Sequence, residues 1–244
     1  MPLPPYALRR NPRARNIILK VLPRQGLVVV LPPGASAADA RDAVDRRRDW
    51  VADALARLDA KGLLYPAPAA PPERLTLPAI GLDCAVLLLR RAAARPRLER
   101  SAGRIVVTTG AATPEAATAD AQRLLRRLVT QLAKTHLPAR LRELSHACRL
   151  PYAETRIRAQ RLRWGSCSAA NNIQLNCKLL FLPPELVDHV LIHELCHTRR
   201  HDHGPEFHAL LARLSPDAKA LERRLAQAGA LVPAWMEDGS GRGG

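Results

Sequence analysis

Paired cysteines, long apolar runs and aromatic residues are all scarce in this 244-residue sequence. The five cysteines are scattered without a CxxC pair, which argues against both a disulfide framework and a thiolate zinc site. The longest apolar run, Cys84 to Leu89, is far too short to span a bilayer, and no apolar segment follows the basic N-terminus. We therefore expect a cytoplasmic protein with reduced cysteines and no membrane partner.

Lysine is also rare, so the positive charge of the chain comes almost wholly from arginine. Five lysines contribute to 38 basic residues, which exceed 22 acidic residues and give a net charge of +16. An arginine-rich and alanine-rich composition arises from coding bias as readily as from selection for an anionic partner. The charge alone therefore permits a nucleotide or nucleic-acid partner without predicting one.

The first 110 residues are predicted to be strand-rich. Residues 16–22 and 27–31 alternate as a hairpin does, and Ser36 occupies an N-cap position before one amphipathic helix over residues 37–58. The proline-rich segment 65–72 predicts a loop or linker. A short meander of four strands is predicted next, over Leu75–Leu77, Cys84–Arg90, Arg97–Arg100 and Arg104–Thr109.

Residues 111–236 are predicted to be mainly helical. A helical region runs from Pro114 to about Leu150, and Pro138 is expected to divide it into two helices. Strict alternation over Thr155–Arg163, followed by a turn and the strand Ile173–Asn176, predicts a hairpin.

The pair Pro183-Pro184 and the acidic Glu185 are typical of the first turn of the next helix. The tail, residues 237–244, has the composition of a disordered segment. The predicted class is α+β, with a strand-rich region over 1–110 and a mainly helical domain over 111–236. A short hairpin is predicted beside the helix that begins at Pro183-Pro184.

The motif HELCH, from His193 to His197, is the strongest chemical signal in the sequence. Residues four apart lie on one face of a helix, so His193 and His197 can bind the same metal ion. Glu194 lies beside that face, close enough to take a proton from a metal-bound water. An HExxH string arises by chance in many chains, but the apolar residues Val190 and Leu195 around this one predict a helix buried in the core.

A catalytic zinc ion takes three protein ligands and one open position. His203, with five residues between it and His197, is the predicted third ligand, and His201 is an alternative that requires a tighter return of the chain. Metzincins have the same spacing but place a glycine where this chain has Arg200, so that subclass is disfavoured.

Three other polar residues near the motif have two interpretations each. His189 is either a residue supporting the ligands or a hydrogen-bonded core histidine, and the second role is the more common one. His208 is expected as a helix-surface or packing residue and not as a ligand. Glu206 is expected either to orient a ligand imidazole or to cap the next helix.

Several segments of the last third together resemble the YgjP-like metallopeptidase family, which is related to the SprT-like proteases. These segments are Arg163–Ser168 (RWGSCS), Ile173–Asn176 (IQLN), Leu182–Pro184, Val190–His197, Asp202–His203 and Phe207. The resemblance implies a zincin-like catalytic domain with one zinc ion, His193, His197 and His203 as its ligands, and Glu194 as the catalytic residue. The family commonly has Asn-His-Ser and Phe-Trp where this chain has Asp202-His203-Gly204 and Phe207-His208. The resemblance therefore does not say which residues pack against His203 or form hydrogen bonds near it.

The segment before the motif helix offers further candidate contacts for a substrate. The RWGSCS backbone is predicted to line the cleft as an edge strand for an extended peptide, although Trp164 and Gly165 also have ordinary packing roles. Arginines project from one face of the preceding strand and are candidates for binding phosphate or carboxylate; they are Arg156, Arg158, Arg161 and Arg163. Arg163 is also a candidate for stabilising an oxyanion.

These observations predict a zinc metallopeptidase-type hydrolase that acts on a peptide or protein, with Glu194 activating a zinc-bound water. One alternative is a metal-dependent nucleotide or phosphate-anhydride hydrolase, although the sequence contains no P-loop. A second is a basic DNA-associated zinc protein, either a binding module or a protease that acts on DNA-bound proteins. No pattern in the sequence predicts an oligomeric state.

Overall fold

The computed structural model describes residues 4–22, 26–60, 72–160 and 163–236, which form two compact units. The smaller unit lies within residues 1–68 and the larger within residues 69–236. The division predicted from the sequence lay after residue 110 instead. The predicted tail and most of the proline-rich segment lie outside the described residues.

The smaller unit combines a three-stranded sheet with two helices. Its predicted hairpin is present, since β2 and β3 pair antiparallel with Ile18 opposite Val30. A further strand, β1, pairs parallel with the other edge of β3 and was not predicted. The strands are β1 (Tyr6–Arg10), β2 (Ile18–Leu22) and β3 (Gly26–Leu31), and the helices are α1 (Ala37–Arg46) and α2 (Arg48–Asp59).

Ser36 caps α1 as predicted, and its hydroxyl accepts a hydrogen bond from the backbone N–H of Asp39. The single predicted helix is nevertheless two helices, because the backbone of Arg47 leaves the helical region. No buried side chain lies between Val44 and Val51, so packing does not hold the intervening turn in a continuous helix.

The larger unit begins with a four-stranded sheet in the order β4-β5-β7-β6. The four predicted strands are present, but the meander is wrong, because β5 pairs parallel with β7. The more apolar β7 takes the central position, whereas β6, in which Leu98 alone is shielded from solvent, forms the edge. The strands are β4 (Arg74–Leu77), β5 (Leu82–Arg90), β6 (Arg97–Ser101) and β7 (Arg104–Thr109).

The long helix α3 (Pro114–Cys148) is continuous, so the predicted division at Pro138 is wrong. A proline inside a helix removes one hydrogen bond and costs about 3 kcal/mol. Here a buried face continues on both sides of the proline and outweighs that cost. Its members recur every four residues and are Leu125, Val129, Ala133, Leu137 and Leu141.

A second sheet of the larger unit precedes the motif helix and has the order β8-β10-β9. The predicted hairpin is present, but its first strand is β9 and not the alternating segment 155–163. Among the described residues of that segment, Thr155–Arg158 form the short strand β8, which pairs parallel with β10. The side chain of Asn176 fixes the connection by donating to the carbonyls of Gln160 and Arg163. The strands are β8 (Thr155–Arg158), β9 (Gly165–Cys167) and β10 (Ile173–Asn176).

Helix α4 (Pro184–Cys196) begins at the predicted proline pair and packs against α3, β9 and two later helices, α5 (Pro205–Leu214) and α6 (Ala218–Gln227). Its burial on several sides explains the apolar residues that flank HELCH. The predicted α+β class, strand-rich at first and then mainly helical, is confirmed. Within the described ranges, no helix has both the length and the hydropathy needed to cross a membrane.

Candidate active site

Helix α4 and the turn after it bring three histidines together. The Nε2 atom of His193 lies 3.2 Å from Nε2 of His197 and 3.3 Å from Nε2 of His203. Two nitrogens bound to one tetrahedral zinc ion at about 2.0–2.1 Å lie about 3.3 Å apart, so the donor set fits such an ion. No other group of histidine, cysteine and acidic side chains in the described part of the chain has ligand atoms this close.

His201, the alternative third ligand, is exposed and does not belong to this group. The chain returns to His203 through a turn in which the N–H groups of Arg199 and Arg200 donate to the carbonyl of Cys196. Arg200 does not have a positive φ angle. The turn therefore does not need the glycine that metzincins place there.

His197 is held in one tautomer. Its Nδ1 lies 3.0 Å from the carbonyl oxygen of Arg200, and a carbonyl can only accept, so Nδ1 carries the proton. Nε2 is left with a lone pair for a metal ion, an arrangement common among metal-bound histidines.

Phe207, which is fully buried, packs the three imidazoles together. Its ring stacks on His197 with centroids 4.6 Å apart, and its edge contacts His193 and His203. Burial and the charges of neighbouring imidazoles lower the pKa of His193 to about 4. The ring is therefore neutral near pH 7, which is the form that binds metal.

Glu194 is a buried carboxyl group beside this cluster. The residue is only 6% exposed, and its Oε2 atom has no hydrogen-bond partner in the described structure. Burial raises the pKa of Glu194 to about 7, although the positive charge of Arg163 opposes the shift. A carboxyl group with a pKa near 7 can both take and release a proton at neutral pH.

Gly165 at the start of β9 lies so close to Glu194 that any larger residue there would force the Glu194 side chain to move. A methyl group built at Gly165 would lie 2.7 Å from Oε1 and 2.8 Å from Cγ of Glu194. The glycine is thus required by the approach of backbone to carboxyl group and not by a bulge. Sequence reasoning identified the segment as lining the cleft but not this contact.

Gly165→Ala is therefore expected to displace the carboxyl group of Glu194. With the base predicted from the sequence out of position, kcat/KM for peptide hydrolysis should fall by about 100-fold. Metal content should be unchanged, because the histidines are not touched. Gly229→Ala is the control, since a methyl group there meets no atom within 4 Å. Equal kcat/KM values for Gly165→Ala and Gly229→Ala on the same peptide would contradict the role of this contact in positioning Glu194.

A cleft of about 510 Å³ opens beside Glu194. Of the four arginines singled out from the sequence, Arg163 lines it, whereas Arg156 pairs with Glu154 at 3.0 Å and Arg161 is outside the described residues. Arg158 is exposed on β8. The lining comprises Arg163, Trp164, Gly165, His189, Val190, His193, Glu194, Glu222, Leu225 and Ala226.

The remaining candidates have mostly structural positions. His189 is a buried histidine whose Nδ1 lies 3.1 Å from the hydroxyl of Ser215, and His208 is exposed. Glu206 lies in the first turn of α5 and pairs with Arg200, so it orients no imidazole through a described contact. Sequence reasoning missed Glu222, because the approach of α6 to α4 is a tertiary contact without a local signal.

A family model described as "YgjP-like, metallopeptidase domain" matches residues 15–228. No curated protein matches the sequence. The solved structures that are similar to a portion of the chain include two metallopeptidase zymogens. The metallopeptidase zymogen abylysin of Pyrococcus abyssi is 24% identical with a TM-score of 0.34, covering 36% of this chain and 90% of its own. The metallopeptidase zymogen jannalysin of Methanocaldococcus jannaschii is 18% identical with a TM-score of 0.34, covering 37% of this chain and 94% of its own.

The region matched by the family model includes both strands of the hairpin, the motif helix and the turn that follows it. It also extends back into the smaller unit. Membership of a metallopeptidase family implies a metal-dependent peptidase. The chain belongs to the YgjP-like family and contains its metallopeptidase domain.

Proposed function

We propose that the chain is a zinc-dependent peptidase in which His193, His197 and His203 hold one zinc ion and Glu194 is the general base. The convergence of three imidazole nitrogens beside a buried carboxyl group without a partner is the observation that supports this function most strongly. Three protein ligands leave one coordination position open, which suits a catalytic and not a structural ion.

The ligand types favour zinc over the harder divalent cations. Imidazole suits zinc, whereas magnesium, calcium and manganese prefer carboxylate, carbonyl and water oxygens. When bound, zinc would polarise the scissile carbonyl and increase the acidity of the attacking water.

The residues of the chain itself would move the proton. Oε2 of Glu194, which has no partner in the described structure, would accept the proton of the attacking water and then deliver it to the leaving amine nitrogen. Gly165 permits the close approach of β9 that holds this carboxyl group in place. Arg163 lies in the same cleft, where its guanidinium group would stabilise the oxyanion that forms on the carbonyl.

Strand β9 supports a peptide as the substrate. It is an edge strand of its sheet, and its backbone passes against Glu194. An extended peptide that added to this edge would lie along the cleft, with backbone hydrogen bonds providing affinity.

The alternative of phosphate-anhydride hydrolysis has less support. It depends on a row of arginines that neutralises phosphate, yet Arg163 is the one described member of that row in the cleft. The DNA-associated alternative depends on overall charge alone.

Parallel assays on one preparation distinguish these functions. Zinc-loaded protein should cleave members of a quenched-fluorescent peptide library, lose that activity after chelation and regain it with added zinc. Nucleoside triphosphates should remain intact under the same conditions. Zinc-dependent triphosphate hydrolysis without peptide cleavage would contradict the proposed function.

A further inference from the structure

Two ionisable residues of the cleft have no role in the proposed reaction. His189 lies one turn before His193 on α4, and Glu222 lies on α6. His189 is five residues from Glu194, which corresponds to about 7–8 Å along the helix axis. This region of the cleft is therefore within reach of a substrate side chain next to the bond being cleaved.

His189 has an unfilled hydrogen-bonding position. The residue is 2% exposed, and the contact of Nδ1 with the Ser215 hydroxyl fixes its ring. Its Nε2 atom is buried and has no partner among the described residues. Buried polar atoms in native proteins nearly always have a partner, so this one is suited to a group that enters the cleft.

Glu222 provides a negative charge in the same place. The exposed carboxylate forms no hydrogen bond or ion pair within the described ranges, although its charge acts on His189. The chain has 38 basic residues against 22 acidic ones, and the next residue but one, Arg224, pairs with Glu185 instead. This carboxylate is therefore available, although the chain carries an excess of arginine.

The surrounding wall suits a long side chain that ends in a cation. Leu225 and Trp164 line the cleft and offer apolar surface to a methylene chain. Arg163 exerts its charge at Glu194, whereas Glu222 exerts its charge at His189. A basic side chain of the cleft is therefore close to Glu194, and an acidic one is close to His189, which lies nearer the start of α4.

We propose that His189 and Glu222 form a specificity subsite for a lysine or arginine side chain of a peptide substrate. Glu222 pairs with the cation, and Nε2 of His189 supplies one further hydrogen bond. The inference rests on the proposed peptidase function, which it makes more specific.

The test uses four peptides that differ at one position next to the cleaved bond. The residue at this position is lysine, arginine, glutamine or glutamate. The wild-type protein should cleave the basic peptides with a kcat/KM about tenfold above the glutamine peptide, as one charge-assisted contact would give. Glu222→Gln should lower this ratio to about one, and Glu222→Arg should favour the glutamate peptide. Asp217→Asn, the same change of charge on an exposed residue just before α6, should keep the wild-type ratio.

A binding measurement tests the subsite without catalysis. Calorimetric titration of zinc-loaded Glu194→Gln with the lysine peptide should give about tenfold tighter binding than titration of the zinc-loaded double variant Glu194→Gln/Glu222→Gln. Peptide cleavage with equal ratios in wild type and Glu222→Gln would overturn the subsite and leave the peptidase function standing. Failure of the wild type to cleave any peptide, with no difference in binding, would overturn both.

Discussion

Glu194→Gln is expected to lower kcat for peptide hydrolysis by about three orders of magnitude, because a positioned general base contributes about 10²–10⁴-fold. The amide is close to the carboxyl group in size but cannot accept the proton of the attacking water. The three histidines do not change, so the variant should retain its zinc. Steady-state kinetics and metal analysis on the same preparation measure both effects.

Glu185→Gln is the matched control on the same helix. Glu185 lies in the first turn of α4, outside the cleft, and pairs with Arg224 at the surface. Exposed pairs contribute about 0–1 kcal/mol, so kcat should stay close to that of the wild type. Activity of Glu194→Gln within about twofold of this control would show that another group is the base.

His203→Ala is expected to weaken zinc binding by more than about 100-fold. Removal of residues that merely support a ligand costs about 10–100-fold, so loss of one of three ligands should cost more. Peptide hydrolysis at limiting zinc should fall in parallel. Competition against a chromophoric chelator measures the affinity directly.

The control for this variant is His201→Ala. His201 is exposed, lies two residues away and is not among the clustered nitrogens, so its removal should leave zinc affinity unchanged. A loss of zinc in His201→Ala together with full retention in His203→Ala would show that His201, and not His203, is the third ligand.

The proximity of the His193 and His197 rings could be predicted because it is encoded in helical spacing. The four-residue interval between His193 and His197 places both rings on one face wherever the helix packs. The choice between His203 and His201 depended on the turn after α4, in which the backbone N–H groups of Arg199 and Arg200 donate to the carbonyl of Cys196. Those bonds have no side-chain signature, so spacing could rank the two histidines but not decide between them.

Tertiary packing decided the features that sequence patterns missed. Pro138 interrupts a helical pattern locally, but the buried face of α3 continues through it. The position of β7 at the centre of its sheet depends on relative burial and not on chain order. Glu222 reaches the cleft through the packing of α6 on α4, which no pattern within α6 indicates.

The departures from the common family pattern around His203 have small structural consequences. Gly204 is the N-cap of α5 and makes no side-chain cap, where a serine would. Glycine at an N-cap costs only a few tenths of a kcal/mol relative to serine. His208 is exposed, so the packing of the imidazoles depends on its neighbour Phe207.

Zinc K-edge X-ray absorption on the zinc-loaded protein tests the central proposal most directly. We expect one zinc ion per chain with three imidazole nitrogens at about 2.0–2.1 Å, one oxygen ligand and no sulfur. In His203→Ala the imidazole contribution should fall from three to two. A sulfur ligand at about 2.3 Å, which would have to come from a cysteine such as Cys196 or Cys167, would contradict the assignment of the three histidines.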